Sequence, residues 1–349
     1  MLKSRLFWPV IILLFILAIN LFFDPGFFKI EVKNGHLTGS LVDIVNRGAP
    51  LMLISIGMTL VIATKGIDLG VGSVIAMSGS IAAMTVVQGM APDTSLTPLI
   101  MAIAAALGLS LAAGLLNGLL VSRIGIQPIV ATLILMVAGR GIAQLITNGQ
   151  ITTIYYEPYS FIGGGYLLTI PFSVYLVAAV FGIALFMTKK TALGLFIQSV
   201  GANPEATRLA GINSKNIILL VYLFSGFCAG VGGLILSSNV SSADGNNAGL
   251  WFELDAILAV VIGGTSLMGG RFFLTGSVIG ALIIQSLTTT IYSIGIPPET
   301  NLLVKAIVVI IVCLLQSPEF RQKVRWPRTK KTLKKETGDS INEQEVKIS

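Results

Sequence analysis

Ten apolar stretches dominate this 349-residue chain, at roughly 6–23, 48–65, 73–89, 97–121, 128–147, 169–188, 217–237, 254–268, 275–294 and 300–316. Most approach the roughly 17–25 residues that an α-helix needs to cross a bilayer. Only 11% of the residues are charged, against about 25% in soluble domains, so a soluble fold is untenable. The expected fold class is all-α, a polytopic transmembrane helical bundle of about ten spans. Residues 1–319 read as one transmembrane domain and 320–349 as a basic, disordered cytoplasmic tail. The first stretch follows Lys3 and Arg5, is long and lacks an Ala-x-Ala cleavage site, so it reads as an uncleaved span.

Positive charge sets the orientation. With the N-terminus inside, eighteen of the 23 Lys/Arg residues fall on inner segments. The outer loops then hold only Lys29, Lys33 and Arg47, and the positive-inside rule places both termini in the cytoplasm. Eight of the inner cations lie between Arg321 and Lys335, directly after a span. Contact with the anionic lipid bilayer explains them better than nucleic acid does.

The chain lacks an engine of its own. No Gly-x-x-x-x-Gly-Lys-[Ser/Thr] loop is present to cradle ATP, so no cofactor is expected on this chain. One histidine, His36, excludes a Ser-His-Asp set and reads as incidental. Cys228 and Cys313 lie in apolar runs and read as buried hydrophobes. Transport must draw on a gradient or on another subunit.

Residues 189–216 carry a short helix signature inside a basic loop. Asn203 can cap, Pro204 suits the first helical position, and Gly211 suits the left-handed residue past the end. Ala206, Leu209 and Ala210 form a small apolar face, with Leu209 as its natural plug. Glu205 favours the helix dipole and can pair with Arg208. Seven residues make a rod of about 10 Å, suited to docking on a motor protein. The competing reading is an ordinary cytoplasmic loop.

Few charges enter the spans. Asp68 lies in a glycine-rich break. Arg140 sits inside the fifth stretch with Gln144 one turn on, and Glu253 and Asp255 open the eighth. Such groups line a path or pair with each other, for example Arg140 with one of the acids; both readings stay open. The outer loop 243–251, ADGNNAGLW, offers Asp244, Asn246, Asn247 and Trp251, groups that hold sugars but also make turns.

A weak repeat joins the two breaks. VIAT (61–64) leads through glycines to GSVI (72–75), and VIGG (261–264, containing Gly263 and Gly264) leads to GSVI (276–279). Short glycine-interrupted segments in corresponding halves point to a transport site.

Five stretches occur together in order: 57–74 (GMTLVIATKGIDLGVGSV), 114–121 (GLLNGLLV), 126–133 (IQPIVATL), 202–212 (ANPEATRLAGI) and 253–271 (ELDAILAVVIGGTSLMGGR). Together they resemble the inner-membrane permeases of bacterial ribose-type ABC sugar importers, over residues 45–316. Stretches 133–147 and 243–251 are most similar to the galactofuranose permeases of that family. The resemblance implies a monosaccharide cargo, galactofuranose first and ribose as the alternative. It also implies a cytoplasmic ABC ATPase that carries the ATP, a periplasmic sugar-binding protein, and a second permease subunit that is a different chain. The coupling loop would be 201–212. Lys65 stands where the family's Thr-Gly-Gly-Ile-Asp motif has glycine. The rivals are a gradient-driven carrier using Asp68 or Arg140, which needs no docking helix, and an exporter or lipid-handling permease.

Overall fold

The computed structural model describes residues 6–310 apart from 24–25, 34, 90–95, 296, 298–299, 301 and 308–309. Helix α1 (Phe7–Phe23) leads to a hairpin, β1 (Glu31–Lys33) and β2 (His36–Thr38). Glu31 bridges Lys29 and Lys33 there. Hydrogen bonds from these two lysines, with their charges, hold its carboxyl down at about 2. Helix α2 (Ser40–Ala63) spans 24 residues, about 36 Å at 1.5 Å per residue. A non-helical break, 64–70, separates it from α3 (Val71–Gln88). Helix α4 (Thr97–Leu119) widens into one π turn at Leu120–Ile124 and ends on left-handed Gly125. Helix α5 (Pro128–Ile146) starts on a proline, whose missing N–H costs nothing in a first turn.

After α5 come β3 (Thr152–Thr153), the short α6 (Glu157–Gly164) and a hairpin of β4 (Tyr166–Leu167) and β5 (Ile170–Pro171). Then follow α7 (Phe172–Lys190), α8 (Leu193–Ala202), α9 (Pro204–Leu209), α10 (Ser214–Val240), β6 (Ser242–Ala243), α11 (Phe252–Ile262) and α12 (Leu274–Ser293). β6 pairs antiparallel with β3. His36 stacks on Tyr166 with ring centroids 4.4 Å apart.

Helix α10 is the hub and packs on α2, α3 and α4. Lipid tails are as apolar as leucine, so membrane helices associate through close backbone approach at small residues. Gly226 of α10 meets Gly114 of α4 so tightly that a methyl group on it would lie 2.9 Å from the Gly114 Cα. Helix α2 is buried along most of its length, and α11 and α12 pack on it. Asn20 of α1 donates to the Thr290 hydroxyl of α12 at 2.7 Å. Helices α5 and α7 keep broad exposed apolar faces, such as Val137, Leu145 and Phe186, as lipid contact requires.

Seven of the described helices are long and apolar enough to cross a membrane. The span expected at 254–268 is corrected: α11 has 11 residues, about 16 Å, against a hydrocarbon core of about 30 Å. Most of the span expected at 300–316, Cys313, Lys3, Arg5 and the tail 320–349 lie outside the described residues. Both breaks are non-helical, 64–70 between α2 and α3 and 263–273 between α11 and α12. The two GSVI motifs open α3 and α12. The halves are unequal, since α11 is less than half as long as α2.

Candidate functional site

The first break folds back into the bundle. Beyond Ala63 the chain turns inward until Asp68 lies beside Ser225 of α10, the residue that faces Gly57. Gly57 is six residues back from Ala63, about 9 Å along the α2 axis. Helix α3 therefore begins inside the bundle. Asp68 is enclosed, at 3% exposure. It accepts from the Gly70 N–H (3.0 Å), Asn117 Nδ2 (3.4 Å) and the Ser225 hydroxyl (2.8 Å). These contacts make it a pin between the break, α4 and α10.

From the opposite end of the bundle the loop 241–251 descends to meet α3. A methyl group on Gly249 would lie 2.6 Å from the Gly72 carbonyl oxygen, and one on Gly72 would lie 2.2 Å from Glu253 Oε2. The N-termini of α3 and α11 thus abut within the bundle. Helix N-termini carry unsatisfied N–H groups and a partial positive charge, which suits the buried Glu253 carboxylate. Arg140 of α5, half-buried, reaches the Ala248 carbonyl at 2.5 Å. Gly245 packs on the backbone of Ala143 and Gln144. Of the two readings left open for the intramembrane charges, pairing is not seen for Arg140, which makes no ion pair among the described residues, but is seen for Asp255, which pairs with Lys305 at 2.8 Å. Both of those side chains are largely enclosed, as a charge pair at membrane depth must be.

The ADGNNAGLW loop uses much of its polarity on itself. Asp244 accepts from the N–H groups of Asn246 (2.8 Å) and Asn247 (3.2 Å) and from Asn247 Nδ2 (2.8 Å). Burial pushes the Asp244 carboxyl up. The Asn247 amide, the two backbone N–H groups and the charge of Arg140 outweigh that and hold it below the ordinary value. Under this loop, between α3 and α10, lies a cavity of about 280 Å³, near the lower bound for small-molecule sites. Its walls are mostly apolar, with Asp244, Asn247, Ser80, Ser237 and Ser242 as polar points. Ser80 is buried and its hydroxyl has no protein partner. Asn246 and Trp251 are exposed and do not line the cavity. Ser80 and Ser237 carry no signal in the sequence, being small hydroxyls within apolar helices.

At the break-bearing end, α9 is capped as its sequence dictates. Asn203 Oδ1 accepts from the N–H groups of Glu205 (3.0 Å) and Ala206 (3.1 Å), and Gly211 is left-handed at φ +85°. Thr207 is buried, and the Ser214 hydroxyl donates to the Pro204 carbonyl at 2.8 Å. Glu205, Ala206, Arg208, Leu209 and Ala210 all face outward. No ion pair joins Glu205 to Arg208. Gly263 and Gly264 lie at this end too, with Gly263 packed on the Gly276 backbone and Gly264 exposed. The residues expected to form one path are thus divided between the enclosed Asp68 pin, the loop region and the second break.

Residues 40–313 match the family described as branched-chain amino acid transport system / permease component. The chain is 50% identical, over 94% of its own length and 96% of the relative's, to the galactofuranose transporter permease protein YtfT of Escherichia coli K12. It is 39% identical to the fructose import permease protein FruF of Bifidobacterium longum, over 96% and 94% of the two chains. It is 37% identical to the ribose import permease protein RbsC of Escherichia coli K12, over 88% and 92%. No solved structure matches the chain.

Proposed function

Since the chain belongs to this permease family, as a permease subunit of an ABC sugar importer and not an enzyme, we propose that its cargo is galactofuranose. The observation that carries this reading is the 50% identity with a galactofuranose permease along nearly the whole length of both chains, against 37% with a ribose permease. Three physical features support it. The cavity under loop 243–251 offers one carboxylate, one amide and three hydroxyls in an apolar setting. Abutting half-helix ends are the type of geometry on which transporters build their sites. Arg140 and Gln144, partly exposed on a membrane helix, belong beside water or a protein partner and not beside lipid.

We propose the assembly from the charge distribution and from the resemblance to galactofuranose permeases. The basic end that carries α9 faces the cytoplasm and receives the ATPase, which holds the ATP. The opposite end faces the periplasmic sugar-binding protein. The second permease is a different chain, so that the pair is a heterodimer in the bacterial inner membrane. The test is uptake by cells that depend on this system alone. Labelled galactofuranose should enter faster than ribose or galactopyranose, and entry should stop when the ATPase is inactivated. Equal entry of ribose would overturn the sugar. Entry without the ATPase would overturn the ATP-driven mechanism.

A further inference from the structure

A helix leaves its last carbonyl groups without intrahelical partners, and a buried helix end must find partners elsewhere. At the break-bearing end, the buried end of α2 and the exposed end of α8 both find partners in the breaks. The carbonyl of Ala63, the last residue of α2, accepts from the Gly270 N–H of the second break at 2.9 Å. The carbonyl of Ala202, the last residue of α8, accepts from Nζ of Lys65 in the first break at 3.0 Å. A cation at a helix C-terminus is also favoured by the dipole. Lys65 holds a left-handed backbone, φ +64°, to do this.

Gly201 lies where these strands of contact cross. A methyl group on it would fall 1.8 Å from the Ala63 carbonyl oxygen and 2.5 Å from the Gly270 nitrogen. No side chain fits there. Asn203, the cap of α9, follows two residues later, with only Ala202 between. The chain therefore offers no flexible linker between α9 and the knot formed by the end of α2, the end of α8 and both breaks.

We propose that Gly201 is the positioning residue for coupling: it lets these segments lock, so that α9 and both helix breaks move as one body. The proposal rests on reading α9 as the ATPase contact. A push on α9 then reaches the end of α2 and the second break through backbone contacts, and the first break through the Lys65 side chain.

Two perturbations of the assembled importer in vesicles test this in opposite senses. Gly201→Ala wedges the knot apart. Sugar moved per ATP hydrolysed should fall about two- to thirtyfold while the ATPase remains bound, the range expected when a coupling element is altered. The second perturbation staples the knot shut. A methyl group on Gly270 would lie 3.6 Å from the Ala202 Cβ, within the roughly 3.5–4.5 Å that a disulfide requires. Ala202→Cys with Gly270→Cys, in a background with Cys228 and Cys313 replaced, is strained at the left-handed Gly270 (φ +74°) but should still oxidise, and should transport equally well oxidised or reduced. Transport that stops on oxidation and returns with reductant would show independent movement and overturn the proposal. Failure of the pair to oxidise would overturn the geometry, and an unchanged sugar-to-ATP ratio in Gly201→Ala would overturn the role. If Gly201→Ala does not accumulate in the membrane, the staple decides alone. Ala206→Trp on the outward face of α9 separates the two readings. Normal stimulated hydrolysis and uptake in that variant would sink α9 as the ATPase contact, and this proposal with it. Lost stimulation in Ala206→Trp beside unaffected Gly201→Ala would sink the lock alone.

Discussion

Leu209 gives the sharpest test of where the motor docks. Its side chain is 86% exposed, so it contributes almost nothing to the fold of this chain. Exposed substitutions of this sort change stability by less than about 0.5 kcal/mol, and alanine is an excellent helix former. Burying a leucine completely is worth about 1.5–3 kcal/mol. If Leu209 enters a groove on the ATPase, Leu209→Ala removes about 2 kcal/mol of docking energy, a factor of about 30 in affinity. The assay is titration of purified ATPase onto the permease pair in lipid nanodiscs, with thermal unfolding of the permease measured in parallel. The expected result is weakened binding with an unchanged melting midpoint. Lys215→Ala, at the N-terminus of α10 (Ser214–Val240), serves as control and should leave binding almost unchanged. An affinity within about threefold of the native chain, less than one kcal/mol, would refute the plug.

The cap of the same helix should matter through order and not through contact. Asn203→Ala should cost about 1 kcal/mol of helix stability, and a six-residue helix is marginal enough that ATPase titration should show about fivefold weaker binding, with Asn203→Asp nearly restored. Gly264 is left-handed at φ +88° with open space around it. Gly264→Leu therefore carries a backbone cost of about 1–2 kcal/mol, and uptake should be lost while the protein stays in the membrane by immunoblot. Gly280→Ala would place a methyl group 2.0 Å from the Ala259 carbonyl oxygen, and overpacking of that kind should lower the melting midpoint by the equivalent of about 1–3 kcal/mol. Asp244 is held below its ordinary value in the folded chain, so its charge stabilises the loop fully above the ordinary carboxylate range and stops doing so as pH falls through the depressed folded value. The stability gap between the native chain and Asp244→Asn should therefore close on acidification, and a gap that widens would contradict the loop geometry.

Local chemistry explains why some of this architecture is legible in the sequence and some is not. Helix α9 is readable because its signals sit within nine residues: Asn203 caps, Pro204 starts and Gly211 ends it. The Glu205–Arg208 pair fails because both side chains are exposed, and solvent makes such a pair worth about 0–1 kcal/mol. The glycine-rich breaks are readable as interruptions, but their direction is not. Asp68 turns the first break inward by bonding Asn117 and Ser225, 49 and 157 positions away, and only the folded chain brings these together. Asp255 is similar, because its partner Lys305 is 50 residues distant. Loop 243–251 shows a different limit. Asp244 and Asn247 suit both a sugar and a turn, and the structure uses them to build the turn while still presenting both at the cavity wall.

Lys65 and Gly201 mark the far edge of what sequence can convey. At position 65 the related motif has glycine, the residue that most easily takes a left-handed backbone. Lys65 keeps that backbone at φ +64°, so the substitution preserves the turn and adds a donor for the Ala202 carbonyl. Nothing near Lys65 in the chain announces Ala202, and nothing near Gly201 announces Ala63 or Gly270. A glycine in an apolar run reads as a generic close approach. Here its neighbours are the ends of two helices and the middle of a break, and the same contacts that satisfy those helix ends leave α9 no slack against the membrane segments.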